Sequence, residues 1–397
     1  MIAQSGPPYP RIANCYGGRV TWDATPGDIA QWAKYDLLIG GVHMPATGEQ
    51  GARLKDVVAE LKIRNPGIIA THFASSAPYL HPERNPDFPP DGYLLTADGR
   101  RIDGWPGTVM INLARAEVIE YMAVHSAQAK LRYGVDVFVD CMGPAFDSWA
   151  CNIATGVPYT VDANGDGGAD DPRELDEKWL AGKLRLAKRI RELIGDHAVF
   201  MDNQGGRETA GWLNGILLED YIDYTIDSDA PTLKTWREVL EDYLWWSGNC
   251  RQPNVTTLQA SSGVKPPFLM WKNLPISEQK EIWEKGRSLL RRMRYGLATA
   301  LMGDGYWSYD LHTRARGQDW WYAEYDARLG YPVGPAVMRP DGAWQREFDA
   351  PALVVVNPND EPVTVTVSRR HRCVSFGQTG TSFSVPARDG LLLLEQG

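Results

Sequence analysis

The chain has 397 residues, 43% of them hydrophobic, and its 41 basic and 50 acidic side chains give a net charge of −9. No apolar run reaches the roughly 18–20 residues of a membrane-spanning helix. The densest basic run, RRMR at 291–294, falls in a helical stretch. We therefore expect neither a membrane nor a nucleic-acid partner. Without a secretion signal at the start of the sequence, we expect a cytoplasmic protein, or a secreted one whose signal lies outside this numbering.

Short apolar runs alternate along the chain with amphipathic helical stretches, which is the pattern of repeated strand–helix units. The eight predicted strands are residues 11–16, 36–40, 67–72, 135–140, 198–203, 215–219, 255–260 and 305–309. The helices predicted beside them are residues 29–34, 52–64, 113–133, 172–194, 233–247 and 277–301. Two long insertions, at about 74–110 and 142–172, interrupt the alternation.

This alternation predicts an α/β fold, a (β/α)8 TIM barrel, over residues 1–337. An open doubly wound sheet is the second choice, because CYGGR after the first strand lacks the G-x-G-x-x-G phosphate-binding pattern. Beyond residue 337 the sequence pattern changes to short predicted strands separated by turn residues. We expect residues 338–397 to form a small all-β sandwich domain.

Polar and ionisable side chains stand at the predicted C-terminal ends of most strands, where barrel enzymes carry their active sites. The chain is also rich in aromatic residues, with 15 Trp and 17 Tyr, and flat aromatic faces suit the apolar faces of sugar rings. The residues predicted to bind substrate on these grounds are His43, His72, Asp202, Asn203, Asp220, Trp271, Tyr306 and Asp310.

Two carboxyl groups are needed to cleave a glycosidic bond, one as proton donor and one as nucleophile or base. Asp140 closes the fourth predicted strand and Glu219 closes the sixth. We assign Asp140 as nucleophile or base and Glu219 as general acid. Asp220 competes with Glu219, because a slip of one residue in register exchanges the side chain that faces inward.

One loop resembles a calcium-binding loop. DANGDGGAD at 162–170 matches the opening D-x-[DN]-x-[DN]-G, although position 12 is Arg173 where a bidentate Glu is expected. A structural calcium ion held by Asp162, Asn164, Asp166 and Asp170 is therefore one interpretation. A solvated Gly/Asp-rich loop is the other.

Four segments of the chain resemble hypothetical glycosyl hydrolase family 15, which is unrelated to the glucoamylase family of that number. They are GVDVFVDCMG, GILLEDY, MRYGLATALMGDGYWSYD and WWYAEYDARLGYPVGPA. The resemblance implies a barrel followed by a small β domain, with presumed glycosidase activity. More distantly, an Asp after strand 4 and an acid after strand 6 resemble retaining α-glycosidase barrels, which bears on Asp140 and Glu219 only. The DANGDGGADD insertion matches no pattern of the family.

The leading hypothesis is a glycoside hydrolase acting on an oligosaccharide or polysaccharide, with an α-linked substrate and no cofactor required for the chemistry. Metal-dependent hydrolysis is disfavoured, because the seven His residues form neither H-x-H nor H-E-x-x-H. A non-catalytic carbohydrate-binding barrel is the main alternative, since a fold does not determine chemistry.

Overall fold

A computed structural model of the chain describes most of its residues. The described residues are 6–16, 20–45, 47–104, 107–143, 159–203, 205–226, 234–261, 277, 290–310 and 321–396. Clustering of the backbone divides the chain into two compact units. The first unit comprises Met1–Thr71 and Leu217–Gly397, and the second comprises His72–Ile216.

Eight parallel strands form the main sheet. They are β1 (Ala13–Cys15), β2 (Leu37–Val42), β3 (Ile69–Ser76), β4 (Asp136–Asp140), β5 (Phe200–Asn203), β6 (Gly215–Leu218), β7 (Thr257–Ser261) and β8 (Tyr306–Asp310). Each overlaps a strand predicted from the sequence. The largest difference is the end of β3, which continues to Ser76 instead of stopping at His72.

The strands follow one another in chain order from β1 to β8. A parallel bridge between Ile12 and Trp307 then joins the first strand to the last. The backbone N–H of Trp307 donates to the carbonyl oxygen of Arg11 at 3.0 Å in the same place. The fold is thus a nearly closed eight-stranded parallel barrel of the TIM type, and the predicted fold class is confirmed.

Helices alternate with these strands. They are α1 (Pro26–Trp32), α2 (Gly48–Arg64), α3 (Ala116–Tyr133), α4 (Pro172–Ile194), α5 (Asp223–Ile226), α6 (Trp236–Asn249) and α7 (Leu290–Ala300). Capping boxes begin α1, α2 and α6, where a Thr side chain and an acidic or amide side chain satisfy the first backbone N–H groups. Within the described residues, every helix is too short or too polar to span a lipid bilayer.

The two predicted insertions meet within the second unit. Leu95 pairs with Asp162 and Thr96 pairs with Val161 in a short antiparallel ladder. A hairpin turn lies in the first insertion, where the N–H of Gly99 donates to the carbonyl oxygen of Thr96 at 2.8 Å and Gly99 has a φ of 81°. A positive φ explains the glycine at this turn.

A six-stranded antiparallel sheet lies at the C-terminal end of the first unit. Its strands are β9 (Val337–Met338), β10 (Trp344–Phe348), β11 (Ala352–Asn357), β12 (Val363–Cys373), β13 (Thr379–Val385) and β14 (Asp389–Glu395), in the order β9-β10-β11-β14-β12-β13. Alternate residues of these strands form one apolar core that includes Val355, Phe383 and Leu391. The prediction of a C-terminal β region is therefore confirmed as an antiparallel sheet, while the sandwich form and the domain boundary at 337/338 remain predictions.

Arg346 of β10 ties this sheet to the turn before β8. The guanidinium is only 3% exposed, donates to the carbonyl oxygens of Leu301 and Gly303, and pairs with Asp304 at 2.6 Å. We expect Arg346→Met to lower the free energy of unfolding by about 2–3 kcal/mol, because it leaves these buried acceptors without their charged donor. Urea denaturation tests this, with the exposed Arg370→Met as the matched control. Equal stability of the two variants would contradict it.

Asp36, just before β2, makes the stability of the first unit depend on pH. Its carboxylate accepts the N–H of Ile12 at 2.8 Å, and burial raises its pKa to about 6. The folded state therefore favours the protonated acid. The stabilisation is complete below the unfolded pKa near 4 and is lost as the pH rises through 6.

We expect Asp36→Asn to raise the free energy of unfolding at pH 7 by about 3 kcal/mol, since the pKa of Asp36 rises from 3.8 to about 6 and each pKa unit corresponds to 1.36 kcal/mol. At pH 4 the variant and the wild type should be nearly equal. Denaturant titrations at both pH values provide the measurement, and Asp56→Asn on the exposed face of α2 is the control. A gain of the same size at pH 4 and pH 7 would refute the role of Asp36.

Candidate active site

The C-terminal ends of the strands carry the polar side chains that the sequence predicted there. His43 directly follows β2 and is exposed, Asp140 ends β4, Asn203 ends β5, Glu219 directly follows β6, and Asp310 ends β8. Ser261 ends β7. Asp140 and Glu219 are partly exposed, whereas Asn203 and Asp310 are buried. The two candidate catalytic carboxyl groups thus keep the solvent access that a reacting group needs.

In the second unit, strand register sorts the acidic residues between the two faces of the sheet. Asp140 pairs with Asn203, and Val139 pairs with Asp202. Paired residues in parallel strands share a face, and neighbours in sequence lie on opposite faces. Asn203 therefore lies on the same face of the sheet as Asp140, while Asp202 lies on the other face.

Asp202 is completely buried. Its Oδ1 accepts the backbone N–H of Met142 at 3.2 Å. Burial raises the pKa of this carboxyl well above its usual value, and the nearby negative charge of Asp140 adds to the effect. Burial therefore favours the protonated form of Asp202. Its burial does not suit the predicted contact with substrate.

The backbone turns sharply directly after Asp140. Cys141 has a φ of 65°, in the left-handed region that non-glycine residues rarely adopt. The carbonyl oxygen of Asp140 accepts the N–H of Ala77 at 2.8 Å, and the Cys141 sulfur lies 3.7 Å from the hydroxyl of Tyr79. Burial raises the pKa of the Cys141 thiol, so the sulfur stays protonated at neutral pH.

In the first unit, the backbone makes a similar turn directly after Glu219. Asp220 has a φ of 56°, and its N–H donates to Oε1 of Gln259 at 2.7 Å. The amide nitrogen of Gln259 in turn donates to Oδ2 of Asp310 at 3.1 Å. A chain of hydrogen bonds therefore links the ends of β6, β7 and β8, and it holds Asp310 as an acceptor.

A second buried cluster in this unit was missed by the sequence analysis. Asp223 of α5 accepts the hydroxyl of Ser261 at 2.6 Å and pairs with Arg292 of α7 at 3.3 Å. Its members lie far apart in sequence, so spacing gave no signal. The one available clue was Arg292 itself, a charged residue in the RRMR run of a predicted helix, whose side chain is only 11% exposed.

Two predicted binding residues do not lie at the C-terminal ends of the strands, and a third falls outside the described residues. His72 lies inside β3, four residues before its end. Tyr306 begins β8 at the end opposite Asp310, is 3% exposed, and lies beside the guanidinium of Arg11. Trp271 lies outside the described residues.

The predicted calcium loop is held by its own hydrogen bonds. Asp162 accepts the N–H groups of Gly165 and Gly167 at 2.7 and 2.9 Å, and Asp170 accepts the N–H of Ala163 at 2.6 Å. Across the described ranges, no three His, Cys, Asp or Glu side chains are grouped closely enough to hold a metal ion. Calcium binding stays a prediction. A drop in melting temperature on adding a chelator would support it, and an unchanged melting temperature would remove it.

Solved structures of two α-amylases and a debranching enzyme share the architecture. A maltogenic α-amylase, AmyB from Thermotoga neapolitana, matches with a TM-score of 0.51 and 10% identity, covering 98% of this chain and 99% of that one. A debranching enzyme from Nostoc punctiforme matches with a TM-score of 0.51 and 10% identity, covering 92% and 87%. The α-amylase of Geobacillus thermoleovorans, solved with acarbose, has a TM-score of 0.50 and 9% identity, covering 93% and 90%. At these identities the likeness concerns the fold.

A barrel with carboxylates at the C-terminal ends of its strands is the architecture of many glycoside hydrolases. The family model of hypothetical glycosyl hydrolase family 15 matches residues 74–351, which is more than half of the chain. The chain therefore belongs to that family, and the resemblance seen in the sequence is confirmed. No curated protein matches the chain.

Proposed function

We propose that the protein is a glycoside hydrolase that cleaves an O-glycosidic bond in an α-linked oligosaccharide or polysaccharide. Asp140 acts as nucleophile or base, and Glu219 acts as general acid. The family and the barrel fold support the reaction class. The preference for α-linked sugars rests on the α-amylases that share the fold.

One observation carries the assignment of the two carboxyl groups. Asp140 and Glu219 are partly exposed, stand directly at the C-terminal ends of β4 and β6, and are each followed by a non-glycine residue with a left-handed φ. Such strained residues cost on the order of 1–3 kcal/mol each and cluster at functional sites. Two of the four non-glycine residues with a left-handed φ in the described part of the chain thus directly follow these two carboxyl groups, which favours catalysis over capping.

The chemistry needs no cofactor. Glu219 protonates the oxygen of the leaving group, while Asp140 attacks the anomeric carbon or activates a water molecule. Retention requires carboxyl groups about 5–5.5 Å apart, and inversion requires about 6.5–9.5 Å. Asp220 and His43, which keep solvent access, are proposed to bind sugar hydroxyl groups around this pair.

A panel of α- and β-linked aryl glycosides and α-glucans tests the proposal. We expect turnover on an α-linked member, and NMR of the first product then gives its anomeric configuration. Binding of α-glucans without any cleavage across the panel would instead support the non-catalytic carbohydrate-binding barrel.

A further inference from the structure

The face of α4 that packs in the second unit carries a lysine among its apolar residues. Leu175, Trp179 and Leu186 define the buried stripe, and Lys183 lies on it with only 2% exposure. Its ammonium group donates to the carbonyl oxygen of Gly143. Burying an ammonium group is costly unless it is hydrogen-bonded, and an apolar residue would fill this position more cheaply.

Asp202 reaches the same short segment from β5. It accepts the N–H of Met142, and Gly205 covers its other oxygen so tightly that an added Cβ would lie 2.3 Å from Oδ2. The positive charge of Lys183 lowers the cost of ionising Asp202, which places the two groups within electrostatic reach of each other. Two buried polar side chains, from a helix and a strand, therefore bind consecutive residues of one segment.

That segment, 141–143, directly follows Asp140 and begins with the left-handed Cys141. We propose that Lys183 and Asp202 are positioning residues that fix the backbone of 141–143 and thereby the orientation of the Asp140 carboxylate. The inference deepens the proposed function and rests on it. It reassigns Asp202 from the predicted contact with sugar to support of the residue that reacts.

The arrangement is better suited to positioning than to stability alone. A strained backbone turn relaxes unless its surroundings hold it in place. Here Asp202 accepts the N–H of Met142, and Lys183 donates to the carbonyl oxygen of Gly143. Because the side chains of Asp202 and Lys183 are both buried, they restrict movement of this backbone segment. By analogy with outer-shell partners at metal sites, losing such support costs roughly 10–100-fold in activity.

Four variants test the proposal on the full chain. Lys183→Met keeps the length of the side chain and removes the ammonium group, and Lys188→Met, on the exposed face of α4, is its matched control. Asp202→Leu removes the acceptor for Met142, and Asp202→Asn keeps an oxygen there without a charge. We expect Lys183→Met and Asp202→Leu to lower kcat by roughly 10–100-fold with KM changed by less than about threefold. Asp202→Asn and Lys188→Met should stay within about threefold of wild type.

Hydrogen exchange provides a readout that does not depend on activity. In Asp202→Leu, the amide of Met142 should exchange at least about tenfold faster than in wild type, because it loses its acceptor, and Asp202→Asn should restore its protection. Unchanged kcat in both Lys183→Met and Asp202→Leu would overturn the proposal, as would unchanged exchange at Met142. An equal loss of kcat in Asp202→Asn and Asp202→Leu would also overturn it. If the wild type cleaves no glycoside, the proposed function fails and the exchange result alone decides whether the segment is held as inferred.

Discussion

Asp140→Asn is expected to lower kcat by about 10⁴-fold or more while the protein keeps its melting temperature and still binds sugar. The amide has nearly the shape of the carboxylate but can neither attack an anomeric carbon nor remove a proton from water. Because Asp140 is partly exposed, water still solvates the side chain after its charge is removed, so the fold should keep its stability. Initial rates on the best α-linked substrate, with calorimetric binding of the same sugar, provide the measurement.

Asp176→Asn is the matched control. It makes the same chemical change on the exposed face of α4, away from the strand ends. Its rate should equal that of the wild type. A rate for Asp140→Asn within about tenfold of wild type would remove Asp140 from the mechanism, because a nucleophile or base contributes far more than that.

Glu219→Gln should give a loss that depends on the leaving group. A general acid contributes about 10²–10⁴-fold when the departing oxygen must be protonated. We therefore expect a loss of that size on an α-linked disaccharide and a much smaller loss on a nitrophenyl glycoside, whose phenolate leaves without a proton. The ratio of the two losses identifies the acid more clearly than either value alone.

Glu208→Gln, in the exposed turn after β5, serves as the control for this change. Asp220→Asn tests the alternative assignment, because the sequence alone allowed either Glu219 or Asp220 to be the general acid. If Asp220→Asn shows the dependence on leaving group and Glu219→Gln does not, the roles of the two neighbours are exchanged.

The barrel could be predicted from the sequence because its strands are short, nearly continuous apolar runs separated by helical periods. Residues such as Val137–Val139 and Ile216–Leu218 are fully or almost fully buried, and burial on both faces gives a strong local signal. The end of β3 was predicted too early, because Phe73–Ser76 mixes small polar and apolar residues that also suit a loop. Strand ends depend on pairing partners distant in sequence, which local patterns do not contain.

The strand-end carboxylates could be predicted from position alone, but their environments could not. Burial raises the pKa of the Asp202 carboxyl well above its usual value, and local sequence patterns do not contain that effect. Register decides this, because it turns Asp202 to the face opposite Asp140. Lys183 gave one detectable signal, a charged residue on an apolar helical stripe, but its partner Gly143 lies 40 residues away.

A double-mutant cycle tests most directly whether Asp140 and Glu219 act as one catalytic unit. Groups that share a single mechanism lose their effect together, so we expect Asp140→Asn combined with Glu219→Gln to be no slower than Asp140→Asn alone, within about threefold. Losses that multiply in the double variant would show two independent contributions and would contradict the account.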